Sequence, residues 1–263
     1  MAGETAAASA AGVAAASASA ANAGQAISIA SAASAVPGET FVWPSATRVS
    51  YILNGNYRGP INGRAEVEWI RIGDRYQVNV DLHAGPDFAP IFSRHMRSEG
   101  RLAADGLEPE RYDEETQFLM RSPRLQTVIF GDDSVTLGDG QKRPRLPGVQ
   151  DTASQFIQFT WLFGSRPALL HVGASFVFPL ALPRSMKAWT YDVTDESTLF
   201  TSFGELPVFH LKPRIAVRRP NELTVEMWFA PELRYLPVRI RIEQNDSTWV
   251  DLVIDRKPEI AAS

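Results

Sequence analysis

From Phe41 onward, polar and apolar residues alternate with a period of two along most of the chain. The run RYQVNVDLHA, Arg75 to Ala84, is the clearest instance: Tyr76, Val78, Val80 and Leu82 fall on one face, Gln77, Asn79, Asp81 and His83 on the other. Such alternation predicts a strand with one buried and one wet face. The run before it, INGRAEVEWIRIG, sets Ala65, Val67 and Trp69 against Arg64, Glu66 and Glu68, and Gly73-Asp74 joins the two as an antiparallel hairpin. Near the end, VRIRIEQNDSTWVDLVID repeats the arrangement, with Val238, Ile240 and Ile242 facing Val250, Leu252 and Ile254 across a turn. Arg239, Arg241 and Glu243 then lie outward, opposite Asp251, where cross-strand ion pairs form.

Further strands are predicted over 47–57, 91–102, 112–121, 125–130, 134–137, 175–182, 187–195, 207–213 and 222–229. Their connections are turn-rich: Gly131 to Asp133, Gly138 to Gly140, Arg218 to Asn221 and Gln244 to Asp246. No helix-strand rhythm supports a parallel sheet. The predicted fold is mainly β: an antiparallel meander forming a strongly curved sheet or incomplete barrel, with one central apolar helix packed against it.

That helix is DTASQFIQFTWLF, Asp151 to Phe163. Asp151 or Thr152 is placed to cap it, Thr152 with Gln155 has capping-box spacing, and Gly164 is placed to end it. Phe156, Ile157, Phe159, Trp161, Leu162 and Phe163 give it apolar residues on far more than one stripe, so nearly every side needs cover. Either it supplies solid core to an open sheet, or it plugs an apolar cavity that admits a ligand. In the second case the expected liners are Phe156, Phe159, Trp161, Phe176 and Phe178.

Composition narrows the function classes. At 44% hydrophobic and 21% charged residues, the body has material for a sizeable core. The net charge of -4 and the absence of a basic stripe argue against nucleic acid as a partner, and KRPR (Lys142 to Arg145) reads as a solvated basic loop. With no cysteine, disulfides, thiolate metal sites and cysteine nucleophiles are excluded. No apolar run reaches the length of about 18 residues that a membrane-spanning helix needs. Residues 1–36 are half alanine, with Glu4 as their one charge. They lack the basic start and apolar centre of a signal peptide, and residues 1–40 are expected to form a linker or lead segment. Residues 41–258 are expected to form a single β-rich domain, and 259–263 a tail.

Catalytic chemistry is not conspicuous. HVGASF, around Ser175, lacks the glycine spacing of a nucleophile elbow. His83, His95, His171 and His210 stand apart, and His83 among Asp81 and Asp87 is the densest polar cluster about any of them. Asp132, Asp133 and Asp139 lack the ligand density of a calcium loop, and Glu66, Glu68, Glu114 and Glu115 fall on alternating positions read as exposed. No glycine-rich phosphate loop is present. The expectation is a non-enzymatic protein without cofactor or metal.

Several ordered segments nonetheless carry a resemblance. SEGRL, GLEPERYDEE (Gly106 to Glu115), DTASQFIQFTW, LFTSFGELPVFHL (Leu199 to Leu211) and EMWFAPELRYLPVRIRI (Glu226 to Ile242) occur in the order seen in the bacterial domain-of-unknown-function family 3108. The resemblance spans about Thr47 to Ile254 and implies an exported protein of the Gram-negative periplasm or envelope. It implies no catalytic residues. In outline the predicted architecture also resembles periplasmic lipoprotein carriers, in which a curved sheet closed by helical elements holds acyl chains. The expected role is therefore binding or carriage of a lipid or other apolar ligand. A solid-cored structural or interaction module is the alternative, and an enzyme on envelope glycan or lipid the third.

Overall fold

The computed structural model of the protein describes residues 27–28, 43–86, 90–215 and 223–261. The Ala-rich lead lies outside the described residues except for Ile27–Ser28 (β1), and so do Asp87 and the expected turn from Arg218 to Asn221.

The described strands form one sheet. Its first meander runs through Ala46–Tyr57 (β2), Pro60–Ile72 (β3), Arg75–Ala84 (β4), Phe92–Ala103 (β5), Gly106–Phe118 (β6), Arg124–Phe130 (β7), Ser134–Thr136 (β8) and Lys142–Pro144 (β9). The second comprises Ser175–Leu182 (β10), Ser185–Thr201 (β11), Gly204–Pro213 (β12), Thr224–Ala230 (β13), Leu236–Asn245 (β14) and Thr248–Ile254 (β15). The helix Ser154–Ser165 (α1) lies between them in sequence. The two meanders join edge to edge where β15 pairs with β2, Leu252 opposite Leu53. A last short strand, Glu259–Ile260 (β16), pairs with the start of β2, and β1 adds the one parallel ladder pairing among the described strands, to β10.

The sheet is not closed, but its curl brings its two ends together. The segment after β9 reaches the outer edge of β10 beyond its pairing with β1, where Gln150 N–H donates to the Pro179 carbonyl at 3.0 Å and Ala181 N–H to the Gln150 carbonyl at 2.8 Å. A curved sheet needs something to fill its concave side, and α1 lies there. Its Gln158 binds the end of the β5–β6 hairpin, accepting from Leu107 N–H at 2.7 Å and donating to the Asp105 carbonyl at 3.0 Å. On the opposite wall Thr160 donates to the Tyr235 carbonyl at 3.0 Å. The close approach at Gln158 depends on Gly106, which has φ +111° and whose missing Cβ would lie 2.3 Å from Gln158 Oε1. Gly106→Ala is accordingly expected to destabilise the protein by more than about 1 kcal/mol, read as a lowered unfolding midpoint in urea, since both the backbone angle and the contact oppose a side chain.

The alternation pattern translates into registered hairpins. Trp69 pairs with Val78, Val67 with Val80 and Ala65 with Leu82, while Ile240 pairs with Leu252 and Ile242 with Val250. Arg239 meets Asp251 at 2.7 Å on the outer face. Two expectations at the helix ends are corrected. The cap box is formed by Asp151 and Ser154, not Thr152 and Gln155: Asp151 Oδ1 accepts from Ala153 and Ser154 N–H, and Ser154 Oγ accepts from Asp151 N–H. Gly164 sits inside the helix rather than ending it, and the Ser165 hydroxyl satisfies the Trp161 carbonyl at 2.7 Å. Lys142 to Pro144, read as loop, forms a short exposed strand on β8.

Candidate functional site

The concave side is divided into two unlike halves. Where β10, β11 and β13 cover α1, aromatic rings fill the space. Phe159 lies at the centre, with ring centroids of Phe178, Phe163, Tyr191, Phe229 and Phe176 at 5.2 to 6.1 Å around it. Such edge-to-face and stacked contacts add to the burial energy of the rings themselves. Phe159, Phe176 and Phe178 are at most 1% exposed, and this half is solid.

The other half holds a cavity of about 170 Å³ between the upper ends of β2–β5 and β13–β15. Its walls are mainly aliphatic, with Ala65, Val80, Leu82, Val225, Ile240 and Leu252 among them, because the inward phase of each strand carries these residues. Thr152, Gln155 and Phe156, from the beginning of the helical segment, contribute to its lining. At the other extreme the lining runs out to Ile91, which is 52% exposed, so the cavity reaches the rim of the curved sheet. Leu119 N–H bonds to the Ile91 carbonyl there, and Leu119 and Met120 are themselves exposed.

Of the five aromatic residues expected as liners, Phe156 alone lines this cavity. Phe159, Phe176 and Phe178 belong to the solid half. Trp161 is buried against the wall with the Arg166 guanidinium over its ring at 5.8 Å. One helix face thus serves each half, and the residue spacing Phe156 to Phe159 does not reveal which ring meets a gap.

A buried polar seam adjoins the cavity on the side of β5 and β6. Arg94, which lines the cavity, forms an ion pair with Glu114; the two side chains are 9% and 5% exposed. Glu114 also accepts from the Tyr112 hydroxyl at 2.8 Å and from the Thr116 hydroxyl at 3.3 Å. Burial disfavours charge on Arg94, but Glu114 more than offsets it, so the guanidinium pKa is raised. Burial also pushes the Tyr112 and Tyr76 hydroxyls well above the usual phenol range. Below this pair, Tyr76 and Ser98 share a bond at 3.1 Å, and Ser98 donates to Asp151 Oδ2 at 2.6 Å. Asp151 is fully buried, and that burial raises its carboxyl pKa to about 6 despite the bonds from Ser98 and the helix backbone that oppose the rise.

Glu114 corrects the sequence reading, which placed it outside. The signal was present: counting in twos from buried Tyr112 puts Glu114 and Thr116 on the inner face of β6, just as counting from Met96 puts Arg94 and Ser98 on the inner face of β5. Their polarity hides that inward phase from a purely hydrophobic pattern.

The remaining candidates disperse. His83, His95 and His171 are exposed, and His95 Nδ1 meets Asp81 at 2.6 Å. His210 lies between Asp195 and Glu226, at 3.1 and 2.8 Å, and stacks on Trp228. Asp132, Asp133 and Asp139 are exposed in turns, and among the described residues no group of His and carboxylates is arranged to hold a metal. Ser175 Oγ bonds to Asp192 at 2.5 Å on a strand. No described helix is long and apolar enough to cross a membrane.

Comparison with known proteins agrees with the architecture. The family model described as "Protein of unknown function (DUF3108)" matches residues 49–253. A β-barrel-like protein of DUF1849 from Brucella abortus is similar in structure, with TM-score 0.55 and 13% identity over 84% of this chain and all of that one. A DUF1089 protein of Pseudomonas aeruginosa reaches TM-score 0.35 at 12% identity, covering 68% and 88% of the two chains. A DUF1329 protein of Desulfovibrio piger reaches 0.29 at 9%, covering 88% and 90%. The first of the three supports the β-barrel-like fold, and the other two are too distant to bear on it. No curated protein matches the chain.

Proposed function

The chain belongs to the DUF3108 family of proteins of unknown function, and on that footing we propose that it is a non-enzymatic protein of the bacterial cell envelope that binds an apolar ligand, such as an acyl chain of a lipid. The observation that carries this reading is the cavity of about 170 Å³, apolar over most of its wall and continuous with the rim. An engineered dry cavity of about 150 Å³ in another protein holds benzene, whereas drug-sized ligands occupy about 300–1,000 Å³. The scale therefore suits a segment of one chain better than a whole multi-chain lipid.

The envelope assignment rests on the family resemblance. The non-enzymatic assignment is supported by the lining: among the described residues that surround the cavity there is no histidine, serine, aspartate or glutamate, so the hydroxyls of Tyr57, Thr152 and Thr248 have no base beside them in the lining. The solid aromatic half favours the alternative, a structural module, only for that half.

The test is binding of the uncharged fluorophore N-phenyl-1-naphthylamine, with Ala65→Phe as the blocking variant. Ala65 is 4% exposed and lines the cavity, so a ring at that position occupies the space a ligand would take. Overfilling a packed site costs about 1–3 kcal/mol, but here there is room, and the fold is expected to survive. Saturable binding that falls at least tenfold in Ala65→Phe, with an unchanged β-rich circular dichroism spectrum, supports the reading. No saturable binding, or equal binding by the variant, overturns it.

A further inference from the structure

The charge balance of the cavity wall has a consequence for what enters. Among the described residues that line the cavity, Arg94 carries the one formal charge, and it is neutralised by Glu114 on the next strand. Four unpaired polar atoms of buried liners accompany that pair. The Arg94 Nε–H has no hydrogen-bond partner, nor do Oγ1 of Thr152, Oε1 of Gln155 and Nε2 of Gln244, whose residues are 6%, 1% and 4% exposed. Buried polar atoms are seldom left unpaired, since each costs about 1–3 kcal/mol. Here two donors, one acceptor and one hydroxyl are left over on residues surrounding a mainly apolar space. They comprise hydrogen-bonding capacity with no net charge.

We propose that the ligand of this cavity is an uncharged amphiphile, an apolar chain ending in a hydroxyl, ester or amide group, and that the Arg94–Glu114 pair selects against charged heads. This inference rests on the ligand-binding reading above and specifies its substrate class. A carboxylate entering beside Arg94 also meets Glu114, leaving two anions against one cation in a poorly solvated site. An ammonium leaves two cations against one anion. Either brings an uncompensated buried charge, which is far costlier than an unpaired dipole. A hydroxyl, ester or amide adds no charge and leaves the Arg94–Glu114 balance undisturbed.

The pair therefore sets specificity through its sum. Glu114→Gln leaves Arg94 unneutralised, and the preferred head becomes an anion. Arg94→Gln with Glu114→Gln restores neutrality, and the preference reverts.

The experiment measures displacement of N-phenyl-1-naphthylamine by three twelve-carbon probes below their micellar concentrations: monolauroylglycerol, laurate and dodecylamine. In the natural protein monolauroylglycerol is expected to displace the fluorophore at a concentration at least tenfold lower than the other two. Glu114→Gln is expected to improve laurate at least tenfold. The double variant, which carries no charge at this pair, is expected to return to the neutral preference and guards against a single variant that does not fold. Laurate or dodecylamine equal to the neutral probe in the natural protein overturns the inference, as does a double variant that prefers an anion. If the fluorophore itself does not bind, the ligand-binding reading has failed; if it binds and none of the three displaces it, the amphiphile class has failed.

Discussion

Replacing Phe159 by alanine is expected to lower the unfolding free energy by about 3–5 kcal/mol while leaving fluorophore binding in the cavity within about threefold of the natural value. The size of the effect follows from position. Phe159 is fully buried and has five aromatic neighbours within 6.1 Å, contributed by α1, β10, β11 and β13. Those neighbours belong to four elements and cannot all close on the space left behind, so both the lost transfer energy and most of the cavity term remain. The neutrality toward binding follows from topology. The cavity is walled by β2–β5 and β13–β15, and of the aromatic residues on α1 only Phe156 reaches it. Urea unfolding and fluorophore titration on the same samples separate the two claims. A large loss of binding with little loss of stability would reverse the division of the interior into a solid and an open half.

How far this division was legible in the chain depends on which residues are asked. The period-two alternation of RYQVNVDLHA and VRIRIEQNDSTWVDLVID was sufficient for the hairpins, since a strand's side chains have only two faces to choose between. The aromatic girth of the helix was sufficient to bury it. What alternation does not encode is distance across the curved sheet. Phe156 and Phe159 are three residues apart on one helix, yet β10 and β11 close on the second, while the first faces the space below β2–β5. That outcome is settled by the joining of β15 to β2, a pairing of strands about 200 residues apart.

Arg94 and Glu114 were missed for a different reason. Their strands were predicted, and the inward phase was countable from Met96 and Tyr112. An interior ion pair contradicts hydrophobic patterning, however, and residues that break a local rule in a folded interior are where specific function is most often placed. Asp151 sits between these cases: read as a cap, it is one, but it also anchors the Ser98–Tyr76 bond beneath the cavity.

That double role makes Asp151 the source of an unusual pH dependence. Its pKa is raised from 3.8 to about 6 in the folded protein. The folded state therefore binds the Asp151 proton more tightly than the unfolded chain does. The resulting stabilisation is complete below the unfolded value near 3.8 and is lost as pH rises through about 6, a difference of about 3 kcal/mol at 1.36 kcal/mol per pKa unit. Asp113, Asp192, Asp195 and Glu226, whose pKa values are lowered, act in the opposite sense and at lower pH, with stability lost as pH falls through their folded values. The Asp151 contribution must accordingly be read as a difference between two proteins. In Asp151→Asn the amide oxygen still accepts from Ala153 and Ser154 N–H, and the amide nitrogen donates to Ser98 Oγ, which turns its own proton to Tyr76. The variant keeps the cap and loses the buried charge, so its stability relative to the natural protein is expected to rise by up to about 3 kcal/mol between pH 4 and pH 7, measured by urea unfolding at half-unit steps. Asp151→Ala removes the acceptor for two helix N–H groups and for Ser98, and is expected to be less stable by about 2–4 kcal/mol once the cap and the stranded donors are counted together. Parallel pH profiles for the natural protein and Asp151→Asn would mean that Asp151 is not desolvated as its burial indicates, and that water reaches the helix start through the cavity above it.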